Sequence, residues 1–244
     1  MFSTLKLIPC FRLPYDAIRR VENGVKAAFE TVYKTVDYEY LKTELQKKFD
    51  VVYVATGALN GYGLGIEGEE FATDYKLFLQ SKQIGSKVAV IGGGNSAIDC
   101  ARLAKRQGNE VWVAYRRTES DMPAFKREIE DAKRDGVKFI FNAAPQKLQK
   151  NNCGLVLTLA KTVSEGRGKL EITDELFDIV CDCAVSATGG AFDKSILGKS
   201  SVDFSNQLQF DNVWLGGDAK GGKLVADAVA DGVCAARRII EEKR

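Results

Sequence analysis

Histidine is absent from all 244 residues. Without an imidazole, Ser–His and Cys–His nucleophilic machinery and histidine-ligated metal sites are excluded. Chemistry carried by a bound cofactor stays open, because hydride transfer needs no protein acid or base. The cysteines are Cys10, Cys100, Cys153, Cys181, Cys183 and Cys234, and none forms a C-x-x-C pair. A redox dithiol of that spacing and a cysteine-ligated iron–sulfur cluster are therefore not expected. Cys181-x-Cys183, in an apolar run from Phe177 to Val185, reads as core packing on one side of a strand. No apolar stretch reaches the length of a membrane span. The residues from Met1 to Pro9 lack an adequate signal-peptide core, so a cytoplasmic protein is expected. Thirty-five Lys and Arg against 33 Asp and Glu leave +2, too even a balance to suggest nucleic acid or a membrane surface as partner.

What is present is a glycine turn in a telling place. The apolar run Lys87–Ile91 leads into Gly92-Gly93-Gly94-Asn95-Ser96-Ala97, and a helical pattern follows at once. In a strand–turn–helix context, G-x-G-x-x-A marks a dinucleotide pyrophosphate site. Gly92 allows the tight turn, Gly94 keeps a Cβ out of the phosphate's way, and Ala97 lets the helix pack close to the strand. The free N–H groups and positive dipole end of that helix attract the pyrophosphate. The plain alternative is a glycine-rich turn with no ligand. Glu110–Tyr115 reads as the next strand, with Arg116 and Arg117 just past its end. An NAD unit places an acid there to bind the ribose 2′-OH. The strand's acid, Glu110, lies at the wrong end, about 20 Å away along an extended chain. Two guanidiniums suit a 2′-phosphate, so NADPH is favoured over NADH. Alternatively, one or both arginines are solvated surface charges.

Along the chain, residues 14–23 predict a helix begun by Pro14 and stopped by Gly24. Leu41–Lys48 predicts a surface helix, Asp50–Gly57 a strand, Ala58–Gly68 a glycine-rich connector and Thr73–Ser81 a helix. After Met122-Pro123-Ala124 come a charged helix from Phe125 to Arg134 and a strand from Lys138 to Asn142. Leu155–Val163 and Lys169–Ile172 predict a hairpin, Phe177–Ala187 a buried strand, and Val225–Glu241 a final helix. Alternation of strand and helix predicts a parallel sheet with helices on both faces. Ala55-Thr56-Gly57 and Ala187-Thr188-Gly189 bracket the dinucleotide unit like matching punctuation. The expected fold class is α/β, a Rossmann-like NAD(P)H-binding domain (58–189) inserted in a second domain (1–57 and 190–244).

Taken together and in order, these motifs resemble one family. They are Ile8-Pro9-Cys10-Phe11-Arg12-Leu13-Pro14, Ala55-Thr56-Gly57-Ala58, Gly92 to Asp99, Tyr115-Arg116-Arg117 with Met122-Pro123-Ala124, and Gly216-Gly217-Asp218 with Ala228 to Gly232. The chain is similar to the flavin-containing small subunit of NADPH-dependent glutamate synthase. It also resembles the matching region of dihydropyrimidine dehydrogenase and of NADH-dependent ferredoxin:NADP oxidoreductases. The resemblance implies a two-dinucleotide-binding-domain flavoprotein. Gly92, Gly94, Asn95, Ser96 and Ala97 would meet the NADPH pyrophosphate, and Arg116 and Arg117 its 2′-phosphate. The surrounding domain would hold FAD, with Gly217 and Asp218 at its ribitol and phosphate region. The helix beginning at Leu224-Val225 would point at the flavin ring, and Ile8 to Leu13 would lie beside it. The sequence departs from the family in lacking the first βαβ unit, with its own glycine motif for FAD, and the cysteine-rich iron–sulfur region. The FAD site is therefore expected to be incomplete in this chain. Either a partner subunit would supply the missing half together with iron–sulfur clusters, or the chain is a truncated gene product.

Three readings follow. In the first, the chain is an electron-input oxidoreductase subunit. In the second, it is a non-catalytic NADPH-binding remnant or assembly subunit. In the third, the glycine turn serves another nucleotide, such as S-adenosylmethionine, against which the two arginines argue.

Overall fold

The computed structural model describes residues 3–58, 60–81, 85–152, 154–164, 168–198, 209–210, 212–221 and 224–242. Cys153 and the hairpin-tip residues 165–167 lie outside them. The chain divides into two compact units, one of residues 1–30 and 63–189 and one of 31–62 and 190–244. Residues 1–30 thus group with the dinucleotide unit, whereas the sequence reading assigned them to the surrounding domain.

The first unit is built on five parallel strands. They are β1 (Thr73–Asp74), β2 (Lys87–Ile91), β3 (Glu110–Tyr115), β4 (Lys138–Phe141) and, after an antiparallel sheet of β5 (Ala143–Asn151), β6 (Gly154–Ser164) and β7 (Leu170–Cys181), the strand β8 (Cys183–Ser186). Their order is β1-β8-β2-β3-β4. Its helices are α1 (Tyr15–Ala28), α2 (Tyr75–Gln80), α3 (Asn95–Arg106) and α4 (Lys126–Arg134). Among the described residues, helices cover one sheet face. There Val88, Val90, Val111, Val113 and Val185 pack against Phe78 of α2, Ala97, Ile98, Ala101 and Ala104 of α3, and Ile129 and Ala132 of α4. On the opposite face, Ala89, Ile91, Ala114 and Ala184 meet Leu148, Leu155, Leu157, Leu159 and Ile179 of the antiparallel sheet. The expectation of helices on both faces fails here because β6 and β7 alternate apolar and polar residues, and so present one greasy side to the sheet.

Two local boundaries in this unit also differ. Helix α1 runs through Gly24 to Ala28, since a glycine inside a helix costs only about 1 kcal/mol and does not force a stop. The predicted strand Phe177–Ala187 is two strands in two sheets, broken at Asp182, whose carboxylate accepts the N–H groups of Ser86 and Lys87. Cys181 and Cys183 consequently end one strand and begin another. Burial pushes the Cys181 thiol up to about 11 and also raises Cys183, so both stay protonated at neutral pH.

The second unit centres on strand Val52–Val54, parallel to Val213–Leu215, which pairs on its other side with Gln209–Phe210. Val54, Val213 and Leu215 pack with Leu41 and Leu197. The long helix α5 (Val225–Glu242) closes the unit. The predicted helix 41–48 is a composite: α-helical Tyr38–Tyr40, a π-helical turn at Leu41–Leu45 and Gln46–Lys48. Among the described residues, no helix is long and apolar enough to cross a membrane.

Candidate functional site

The glycine turn lies at the carboxyl end of β2, the central strand of the parallel sheet. From β2 the chain proceeds to β3 and β4 on one side, while β8 and β1 lie on the other. This is the switch point where open α/β sheets bind ligands. Gly92 adopts φ 146°, and a Cβ there would stand 2.3 Å from the Ala187 carbonyl oxygen. Only glycine fits. A Cβ on Gly93 would meet the Tyr115 ring at 2.4 Å, so this turn rests against the last residue of β3. Gly94 differs: it has an ordinary extended backbone, φ −86° and ψ 176°, and nothing lies within 4 Å of a Cβ built on it.

Ala97 and Ile98 both donate to the Gly94 carbonyl, and Gly92 donates to Ala114. The N–H groups of Gly93, Gly94, Asn95 and Ser96 have no acceptor among the described residues. Four orphan donors beside an open space at a helix N-terminus match what a pyrophosphate requires. Ala97 is fully buried, as close strand–helix packing demands. The structure therefore brings Gly92, Gly94, Asn95, Ser96 and Ala97 together in one turn at the start of α3.

Arg116 and Arg117 follow β3 at once and diverge. Arg116 is exposed, and its guanidinium has no partner among the described residues. Arg117 is half-buried and donates to the Gly168 carbonyl, 3.1 Å away, beyond the β6–β7 hairpin tip.

Within the first unit, Ile8 to Leu13 is tied to α3. Arg12 grips Asp99 on α3, and the Phe11 ring lies under Arg102 and Arg106, with guanidinium carbons 4.9 and 4.4 Å from its centroid. Burial pushes the Asp99 carboxyl up, against the pull of Arg12.

In the second unit the Gly216-Gly217 turn is held by a residue that motif reading did not single out. Asp231 accepts the Gly217 N–H at 2.8 Å and the Tyr53 hydroxyl at 2.9 Å, and pairs with Lys220 at 3.0 Å. Burial works against it, yet these donors hold its carboxyl below the usual range. Its only sequence signal was membership of the Ala228–Gly232 run. Gly217 takes φ 62°, and a Cβ on Gly216 would strike the Tyr53 hydroxyl. Asp218 is exposed, its carboxylate makes no hydrogen bond or ion pair among the described residues, and its carbonyl accepts the Gly221 N–H. Leu224 and Val225, at the amino end of α5, are exposed, and Asp227 caps the Leu224 N–H at 3.1 Å. Gly217, Asp218, Leu224 and Val225 thus share one end of the second unit. No cluster of His, Cys, Asp and Glu suited to a metal occurs among the described residues.

The family model described as pyridine nucleotide-disulphide oxidoreductase matches residues 3–232. The chain is 34% identical to the NADP(+)-dependent formate dehydrogenase subunit beta of Moorella thermoacetica, over 92% of this chain and 36% of that one. It is 32% identical to the NADPH-Fe(3+) oxidoreductase subunit beta of Geobacter sulfurreducens, over 78% and 32%. With the glutamate synthase [NADPH] small chain of Escherichia coli the identity is 29%, over 96% and 59%. The chain thus spans about a third to three fifths of these relatives' lengths. Among solved structures, FprA from Mycobacterium tuberculosis in complex with NADPH superposes with a TM-score of 0.65 at 19% identity, over 82% of this chain and 65% of that one. A thioredoxin reductase of T. acidophilum gives 0.61 at 21%, over 79% and 66%. The fold is α/β, of the two-dinucleotide-binding flavoprotein type. The chain belongs to the pyridine nucleotide-disulphide oxidoreductase family.

Proposed function

We propose that this chain is an electron-input module that binds NADPH on its first unit and contributes one side of an FAD site with its second. The observation that carries the reading is the open ground at Gly94 beside four orphan N–H groups, followed along the next strand by the free Arg116 guanidinium. Those groups fit an NADPH pyrophosphate and 2′-phosphate. Gly93 to Ser96 would hold the pyrophosphate through backbone N–H groups, and Arg116 would neutralise the 2′-phosphate. The protein's share of the work is positioning and charge balance. NADPH, when bound, supplies the hydride. The chain's relatives bear the names of NADPH-dependent oxidoreductase subunits, which supports delivery of electrons to a partner.

For FAD the second unit fits in part. The Gly217–Asp218 turn and the amino end of α5 would face the flavin. One edge of strand Val52–Val54, however, pairs with no described strand. Beyond its buried face, α5 also presents a ridge of exposed Val225, Val229, Val233 and Ile240. These positions repeat at helical spacing, so the apolar arc of α5 is wider than its own unit covers. A further strand and helix laid on this edge would complete both the sheet and the flavin site. We assign them to a partner subunit or adjoining polypeptide, one that also carries iron–sulfur clusters as in glutamate synthase. The same unfinished edge favours a second reading, a nucleotide-binding subunit that transfers nothing.

Gly94→Ala tests the assignment. Its backbone suits any residue and its Cβ meets nothing, so stability should stay within about 0.5 kcal/mol of the parent. NADPH binding, read by fluorescence titration, should fall sharply because the methyl occupies the phosphate's place. Unchanged binding would remove the pyrophosphate assignment. NADPH-dependent dye reduction after adding FAD and the partner separates the transferring module from the silent one.

A further inference from the structure

Asn95 opens α3, and its side-chain Oδ1 accepts the backbone N–H of Phe125 at 3.0 Å. Beside it the Ala124 N–H donates to the Gly93 carbonyl at 3.2 Å. The Tyr115 ring lies against Gly93, and its hydroxyl donates to the Asp121 carbonyl at 3.0 Å. Met122 and Ala124 are buried in the core between these ties. The segment from Tyr115 to Phe125 is thus fastened to the glycine turn at three points. Arg116 is carried on it.

A nucleotide's pyrophosphate and 2′-phosphate are joined through a stiff ribose. A protein gains from both only if its two anion sites already stand at the right separation. We propose that Asn95 is a specificity-determining positioning residue. By pinning Phe125, it braces the segment that leaves β3 through Arg116 against the glycine turn, alongside the strand pairing of β3 and the Thr162 hydroxyl on the Arg116 carbonyl, and so adds to the preference for a 2′-phosphorylated dinucleotide. The inference rests on the NADPH reading above. A neutral amide suits the task, since an aspartate would accept the same bond but bring a negative charge to the pyrophosphate.

The test is titration of the whole chain with NADPH and with NADH, for the parent, Asn95→Ala and Asn95→Asp. In Asn95→Ala, NADPH affinity should drop about threefold to tenfold, the worth of one ordinary hydrogen bond, and NADH should fall less. In Asn95→Asp, which keeps the acceptor, both affinities should fall together and their ratio should hold. Equal losses for both nucleotides in Asn95→Ala, no loss at all, or a ratio lost equally in Asn95→Asp would overturn the positioning role. A parent chain without preference for NADPH would overturn the NADPH reading itself. That result differs from the others, because it appears before any substitution is made.

Discussion

Arg12 donates from one guanidinium nitrogen to both carboxylate oxygens of Asp99, at 2.8 and 2.7 Å, across 87 positions of sequence. Asp99 is 6% exposed and sits on the helix that begins at the glycine turn. Glu128 lies 3.5 Å from the same guanidinium and pairs with Arg102 at 2.6 Å. The early arginine is therefore a strut for α3 and α4.

Removing Arg12 would leave Asp99 buried without its partner. Arg12→Ala should destabilise the first unit by about 2–3 kcal/mol, less than a fully buried pair because Arg12 is partly exposed. Adding Asp99→Asn should restore much of that loss. Urea unfolding of the two variants closes the cycle, and equal instability of single and double variants would show that the pair is not the cause.

The two arginines after β3 should part company when replaced. Arg116→Ala removes a free guanidinium and should weaken NADPH about 10- to 100-fold, the scale of a lost charge-assisted bond, leaving NADH nearly unchanged. Arg117→Ala should do less to NADPH, since Arg117 already donates to Gly168. Equal effects of both variants on both nucleotides would mean that neither reads the 2′-phosphate.

Tyr53 gives the second unit an alkaline signature. Burial, then its bond to Asp231, raises the phenol from 10.0 to about 12. The folded state keeps this proton longer than the unfolded chain, so the stabilisation is whole below pH 10.0 and drains away between 10.0 and about 12. Difference titration of phenolate absorbance between the parent and Tyr53→Phe should show one late-ionising tyrosine. In Tyr53→Phe, denaturation midpoints should lose this part of their slope across that window. A Tyr53 phenol that ionises at its ordinary value would refute the contact with Asp231.

The ridge on α5 should tolerate charge in the chain alone. Val229 and Val233 are 61% and 47% exposed. Val229→Lys with Val233→Lys should thus shift stability by no more than about 0.5 kcal/mol per site. The same pair should abolish recovery of flavin with the completing partner. Unfolding of the double variant would mean that the ridge belongs to the unit's own core.

Much of the first unit was legible because its signals are local. Lys87–Ile91, the glycine turn, α3 and β3 each carry their own period or turn chemistry, and their boundaries follow the sequence closely. What was not legible depends on distant partners. Nothing near Arg12 announces Asp99, and nothing near Asp231 announces Tyr53 or Gly217. The break at Asp182 is equally silent, because Phe177–Ala187 is one apolar run until the N–H groups of Ser86 and Lys87 claim its aspartate. The first strand of the antiparallel sheet hid for a related reason: β5 is rich in polar residues, and only pairing with β6 reveals it as a strand.

The margin of Val52–Val54 that no described strand pairs bears on how the polypeptide behaves at the bench. An unguarded row of peptide groups in a unit that also bears a greasy ridge is a template for self-adhesion. Light scattering from the isolated chain should accordingly rise with concentration, and fall once the proper companion caps that margin.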